Sequence, residues 1–271
     1  MDVGWFAGRA DEVSRLADLV AGVSAGVGGV VLVEGEQGIS ADSLASLLKN
    51  PLPWKYNITM TTIGILGAGH VGNNLAKAAI ARGYDVVIAN SRSPDTLNDL
   101  VAELGPHASA ATPAGAARRG DFAVVAVYLP AIGQVPVEPL ADKVVIGTMN
   151  YIPELVGRVK EIDEGTTTAV GLLQAHLPAS RVVCAFSMIG AAEMSGDGHP
   201  KGDPKRRALA LAGDDASAKQ FVAKLYDKFG FDALDIGDLQ ESWRIAPGQP
   251  AFVIPQTLAE LKANVAAATR S

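Results

Sequence analysis

Gly67, Gly69 and Gly72 are the residues of this 271-residue chain whose types and spacing point most directly to chemistry. With Ala68, His70 and Val71 they spell G-x-G-x-x-G, directly after the apolar run Ile63-Gly64-Ile65-Leu66 and directly before an amphipathic stretch. In that strand–turn–helix context each glycine has a separate task. Gly67 makes the tight turn, Gly69 lets the backbone come close to a pyrophosphate, and Gly72 lets the helix pack on the strand. The N–H groups at the helix start then face the phosphates. His70 occupies a variable position, where a backbone role at a helix start is favoured over a catalytic one. The motif predicts a bound dinucleotide.

The choice of nucleotide is read roughly 20 residues further on, where such a fold meets the adenosine ribose. An acidic residue there selects NAD by bonding the ribose 2′-hydroxyl. The chain has Asn90-Ser91-Arg92-Ser93 instead. None of these four repels a 2′-phosphate. Ser91 and Ser93 bring hydroxyls, and Arg92 brings a planar cationic fork. These residues predict NADP(H), with Ser93 also suited to capping a helix.

Other reactive side chains give weaker signals. His107, His176 and His199 are scattered, and none falls in a recognisable motif with a carboxylate or nucleophile. His176 falls late in a helical stretch, where a helix-end role is expected. Cys184, in Val182-Val183-Cys184-Ala185, reads as a buried structural thiol. Ser187 either donates to a substrate or satisfies backbone at a strand end. Arg118-Arg119 and Lys205-Arg206-Arg207 read as solvated basic faces. Trp243-Arg244 is either a stacked pair closing over a pocket or a packing contact.

Alternating strands and helices must position these groups. The pattern predicts strands at Thr62–Leu66, Asp85–Ala89, Ala108–Ala110 and residues 122–129, 143–146 and 181–186, then at 208–212 and 231–236. Helices are predicted over residues 70–82, from Ser93-Pro94 to Gly105-Pro106, and over Pro113–Arg119, 215–229 and 257–268. Apolar strands alternating with amphipathic helices imply the α/β class: a Rossmann-type, doubly wound parallel sheet, with a small C-terminal α+β region. The expected organisation is an N-terminal extension (residues 1–59), an NADP-binding domain (60–186) and a substrate or dimerisation region (187–271). The turn-rich Asn50-Pro51-Leu52-Pro53 marks the first boundary.

Composition narrows the function further. Apolar residues make up 48% and charged residues 19%, enough for a substantial core. A net charge of −6 argues against nucleic-acid or anionic-membrane partners. A single cysteine excludes a disulfide within the chain and a thiolate metal cluster, and fits a cytoplasmic setting. Residues 19–33 are apolar but short and Gly-rich, and follow Asp11, Glu12 and Asp18 rather than basic residues. Neither a leader nor a membrane span is expected there.

From residue 61 to residue 253 the chain resembles the NADP-dependent oxidoreductases of the deazaflavin type, which pass hydride between NADPH and coenzyme F420 (8-hydroxy-5-deazaflavin). The resemblance rests on Ile63-Gly64-Ile65-Leu66-Gly67-Ala68-Gly69, Asn90-Ser91-Arg92, residues 124–130, 166–178 and 181–186, and Ala212-Gly213-Asp214-Asp215. It continues through Ser242-Trp243-Arg244 and Pro247-Gly248-Gln249-Pro250. It implies that Ala68, Gly69, His70 and Val71 hold pyrophosphate, that Ser91 and Arg92 hold the 2′-phosphate, and that Tyr128 and Leu129 border the nicotinamide. It places a small-molecule redox acceptor near Asn150, Ala185, Ser187 and Met188, and implies a homodimer. Relatives often carry Asp and Asn where this chain has Gly147-Thr148-Met149-Asn150, and a His-Asn or Asn-Asn pair where it has Ser187-Met188. Reduction of another acceptor (imine, flavin or ferric complex) and non-catalytic NADP(H) sensing therefore stand beside the deazaflavin reading.

Residues 1–50 resemble something else: the opening of regulatory ATPases of the AAA and LuxR types, from Phe6 through Val30-Val31-Leu32-Val33-Glu34-Gly35. The phosphate loop those proteins need is degenerate here. Ser40, Ala41 and Asp42 stand where its second glycine, its lysine and its hydroxyl belong, so ATP binding is not expected.

Overall fold

The computed structural model describes residues 61–270, so the extension with its degenerate P-loop-like start lies outside the described residues. The described residues group as one compact unit. Eight strands form one sheet in the order β3-β2-β1-β4-β5-β6-β7-β8. They are β1 (Thr62–Leu66), β2 (Asp85–Ala89), β3 (Ala108–Ala110), β4 (Phe122–Val125), β5 (Val144–Gly147), β6 (Arg181–Cys184), β7 (Ala208–Gly213) and β8 (Asp232–Asp235). All neighbours pair in parallel except β6 and β7, which run antiparallel. The strand order reverses between β1 and β4. In an open parallel sheet that reversal leaves a crevice beyond the strand carboxyl ends.

The helices follow from local chemistry. Helix α1 (His70–Ile80) buries Leu75, Ala76, Ala78 and Ala79, and its small alanines bring it close to the sheet. Ser93 caps a 3-10 turn (Pro94–Leu97) leading into α2 (Asn98–Leu104), which stops at Gly105 with φ +87°. Thr112 caps α3 (Pro113–Arg119) by accepting from the Gly115 N–H at 3.1 Å. Strand β1 can lie against α3 because Gly64 has no side chain: a Cβ there would sit 2.4 Å from the Ala116 carbonyl oxygen. Further along come α4 (Pro153–Val156), α5 (Lys160–Asp163), α6 (Ala169–His176), α7 (Glu193–Gly196), α8 (Ala216–Phe229) and α9 (Leu258–Ala266). Asp215 caps α8, Gly230 closes it in a left-handed conformation, and a reciprocal Thr257–Glu260 capping box opens α9.

Several expectations change. The strand expected over 122–129 ends at Val125, because Leu129–Gln134 turns into a 3-10 segment with Pro130 in its first turn. The strand expected over 181–186 ends at Cys184, because Phe186 adopts φ +55° and turns the chain. A buried phenol fixes that turn. Tyr226 Oη accepts from the Phe186 N–H at 2.8 Å and donates to the Ala210 carbonyl at 3.0 Å. Burial pushes this phenol's pKa up, so it stays protonated and keeps donating.

The basic run at 205–207 is not a solvated face. Only Lys205 is exposed. Arg206 and Arg207 are 5% and 3% exposed. Arg206 pairs with Asp227 at 2.6 Å and Asp232 at 2.8 Å, and donates to the carbonyls of His199 and Phe231. Arg207, just before β7, pairs with Glu193 and Asp197 and so ties down α7, which also packs against α1. Two of the scattered histidines also meet carboxylates in space: His107 meets Asp85 at 2.9 Å and His199 meets Asp203 at 3.3 Å. Both pairs lie far from the crevice lining described below. His176 has the expected helix-end role, with Nε2 2.8 Å from the Val135 carbonyl oxygen.

Candidate active site

The Gly-rich turn leaves β1 at the strand-order reversal. Gly67 has φ +115°, and a Cβ on it would lie 2.2 Å from the Ala126 carbonyl oxygen. A Cβ on Gly72 would lie 1.8 Å from the Gly67 carbonyl oxygen. These two glycines serve the fold. Gly69 differs: its backbone is extended, and a Cβ there would meet no atom within 4 Å. Its missing side chain therefore serves empty space above the turn, not packing. The helix that follows has no side-chain cap on Gly69 and no acidic residue in its first turn. Its amino end therefore keeps the partial positive charge that suits a phosphate. His70 is exposed at this end, and Ala68 and Val71 are partly buried.

Beyond β2, Asn90 organises the next loop. Its Oδ1 accepts from the Arg92 N–H at 2.8 Å, and its Nδ2 donates to Thr96 Oγ1 at 2.9 Å. Asn90 thereby shapes the turn that carries Ser91 and Arg92, both exposed. Among the described residues the Arg92 guanidinium makes no ion pair. Ser93 is committed to its capping role. The uncapped helix start is compatible with a phosphate, and a Cβ at position 69 would project into open space beside it.

A cleft of about 180 Å³ opens at the same carboxyl edge of the sheet. Met149, Asn150 and Tyr151 after β5, and Cys184 and Ser187 at the end of β6, form its floor. Residues 162, 163, 165 and 167–170, residues 242, 243, 246, 247 and 249, and Arg270 complete its lining. Asn150 Nδ2 donates to the Ser187 carbonyl at 2.7 Å, joining the two loops. Beneath them the hydroxyls of Ser242 and Thr168 bond at 2.9 Å, and Cys184 Sγ lies 3.4 Å from Ser187 Oγ. Burial pushes the Cys184 thiol pKa up to about 11, so it stays protonated as the sequence suggests for a structural thiol.

The expected site residues separate into two groups. Asn150 and Ser187 line the cleft together. Ala185 and Met188 are fully buried behind it, and the Met188 sulfur accepts from the Ala210 N–H at 3.3 Å. Tyr128 is 72% exposed after β4, whereas Leu129 turns inward at 6%. Thr168, Ser242, Gln249 and Arg270 were not singled out as site residues from the sequence. Thr168 lies 74 residues before Ser242, and only the fold brings it to one cleft with Ser242, Gln249 and Arg270. Trp243 does stack with Arg244, at 4.6 Å from guanidinium carbon to ring centroid, and it lines the cleft.

Gly147 has a packing reason of its own. A Cβ there would lie 2.7 Å from Val170 Cγ1, so the close seating of α6 on β5 excludes a larger residue. A larger cavity, about 370 Å³, lies at the opposite edge of the sheet. There the Lys143 ammonium is spent on the carbonyls of Ala117, Arg118 and Gly120, and the strand carboxyl ends point away from it.

Residues 62–151 match the family of coenzyme F420-dependent NADP oxidoreductases. The match covers about a third of the chain. It contains both the Gly-rich turn and the Asn90–Arg92 loop, and ends beside Asn150. The match lends no support to the regulatory-ATPase resemblance of residues 1–50. Among solved structures, protein SMa0349 of Sinorhizobium meliloti is 28% identical with a TM-score of 0.64, over 74% of this chain and 98% of that one. A protein of Arthrobacter sp. FB24 named as an F420-dependent NADP reductase is 25% identical with a TM-score of 0.59, over 68% and 87% of the two chains. Protein YjhV of Escherichia coli is 40% identical over 53 residues, which is 20% of this chain and 39% of YjhV. The match thus spans about two fifths of that curated relative. Among the described residues no helix is long and apolar enough to cross a membrane, and no group of His, Cys, Asp and Glu is arranged to hold a metal.

Proposed function

We propose that the chain transfers hydride between NADPH and a planar deazaflavin-like acceptor such as coenzyme F420. The observation that carries this reading is the cradle at residues 67–72: an uncapped helix start beside a glycine whose absent Cβ faces open space. The backbone of residues 67–72 holds the pyrophosphate, Ser91 and Arg92 hold the 2′-phosphate, and Tyr128 flanks the nicotinamide. The acceptor takes the cleft over Asn150 and Ser187, against Trp243.

Transfer between two flat rings asks for orientation and exclusion of water rather than a strong acid or base. The cleft suits that requirement. Its buried hydroxyls and protonated thiol hold the floor rigid, and Asn150 locks the two loops that face the acceptor. The F420 named by the matching family and by the Arthrobacter protein supports the choice of acceptor.

The test mixes the full chain with NADPH and, separately, coenzyme F420, a flavin, a cyclic imine and a ferric chelate. Loss of the dihydronicotinamide absorbance is expected with the deazaflavin, at a turnover on the order of 1–100 per second. Faster oxidation by another acceptor would move the substrate assignment. Tight NADPH binding with no oxidation by any acceptor would make the protein a sensor rather than an enzyme.

A further inference from the structure

The acceptor cleft has two charged side chains in its lining, Asp163 and Arg270, and their situations differ. Asp163 is already satisfied. It accepts from Arg158 Nε at 2.9 Å and from the Tyr151 hydroxyl at 2.9 Å. Arg270 has no carboxylate partner among the described residues. Its guanidinium donates to the Gly165 carbonyl at 2.9 Å and lies 4.9 Å from the Trp243 ring centroid. Arg244, over the same ring, is paired with Glu241. The lining thus holds one carboxylate that is engaged by its neighbours and one guanidinium with no carboxylate paired to it among the described residues.

That cation is held in place. Gln249, also in the lining, binds the backbone of Thr269 at both ends of its amide, donating to the carbonyl at 2.9 Å and accepting from the N–H at 3.2 Å. Residues 269–270 are therefore fastened to the cleft wall from two sides, by Gln249 and by Trp243 with Gly165. A guanidinium carries five N–H donors in a rigid fork, and the Gly165 carbonyl uses part of that capacity. The rest suits a carboxylate or phosphate, for which the fork geometry is matched.

We propose that Arg270, fixed by Gln249 and stacked on Trp243, is the specificity-determining residue of the acceptor cleft, and that it selects a planar acceptor bearing an anionic group. This rests on the hydride-transfer reading of the cleft. The ring of the acceptor lies by Trp243, and its anionic substituent meets the Arg270 fork. An uncharged acceptor with the same ring leaves the guanidinium without a partner.

Riboflavin and flavin mononucleotide share a ring system and differ by one phosphate, which makes them suitable probes. Binding of each to the full chain saturated with NADP is followed by flavin fluorescence. The wild type is expected to bind the phosphorylated flavin at least about tenfold tighter, the usual scale of one charge-assisted hydrogen bond. Arg270→Ala should abolish the preference while leaving riboflavin binding little changed, and Arg270→Lys should restore part of it. A purely structural role for Arg270 would weaken both flavins alike. Equal affinities in the wild type, a preference that survives Arg270→Ala, or binding of neither flavin would overturn the proposal. Preferential binding without NADPH oxidation by any acceptor would support the anion subsite while refuting the hydride-transfer function, so the two failures are distinguishable.

Discussion

Gly69→Val should leave the fold intact and weaken NADPH binding by roughly a hundredfold, a loss of about 2.7 kcal/mol. Gly69 has extended backbone angles that valine adopts freely, and a Cβ added there meets no protein atom within 4 Å. The variant's urea unfolding should stay within about 0.5 kcal/mol of the wild type. Gly67→Ala should behave in the opposite way. It forces a Cβ onto a backbone with φ +115° and to 2.2 Å from the Ala126 carbonyl oxygen. Strain and overpacking together should cost about 2–4 kcal/mol in unfolding, with nucleotide binding lost as the turn shifts. The pair separates two roles that a sequence motif merges. A Gly69→Val protein that binds NADPH within a few-fold of the wild type would mean that the space above the turn is not where the pyrophosphate lies.

Arg206→Ala should destabilise the protein by about 3 kcal/mol, and Lys205→Ala by less than about 0.5 kcal/mol. Arg206 is 5% exposed and joins Asp227 on α8, Asp232 at the start of β8, and the carbonyls of His199 and Phe231. Truncation leaves a cavity and strips those buried carbonyls of their donor. Both carboxylates are themselves well exposed and can rehydrate, which keeps the cost at the lower end for a broken buried pair. Lys205 is exposed and spends its backbone N–H, not its ammonium, on Asp203. Equal and small effects of the two substitutions would show that Arg206 is not structurally committed.

Those three adjacent basic residues also show where sequence reasoning stops. A run of Lys-Arg-Arg carries no periodicity that says which side chains turn inward, and the partners of Arg206 lie 21 and 26 residues further on. The nucleotide half was far more legible. Strands β1, β2 and β3 and helix α3 fall where the apolar runs and caps place them, because each is set by its own residues. The strand ends at β4 and β6 were overextended for one shared reason. An apolar run such as Val124–Leu129 or Val182–Phe186 continues in sequence after the chain has left the sheet, and a turn at Pro130 or the Tyr226 hydroxyl decides where it leaves. The tight turn at Gly67 and the close helix–strand packing at Gly72 are readable from the spacing of the glycines. The acceptor cleft was only half readable. Asn150 and Ser187 were placed near it through the resemblance. Gln249 and Arg270 reach it only because the C-terminal segment folds back onto the loops after β5 and β6.

Paired titrations of the full chain with NADPH and NADH test most directly the assignment of residues 67–72 and 90–92 to NADP(H). NADPH is expected to bind at least about tenfold tighter than NADH, and Arg92→Ala to weaken NADPH by roughly ten- to a hundredfold while NADH changes by less than about twofold. Equal affinities for the two nucleotides, or equal losses of both on Arg92→Ala, would contradict it.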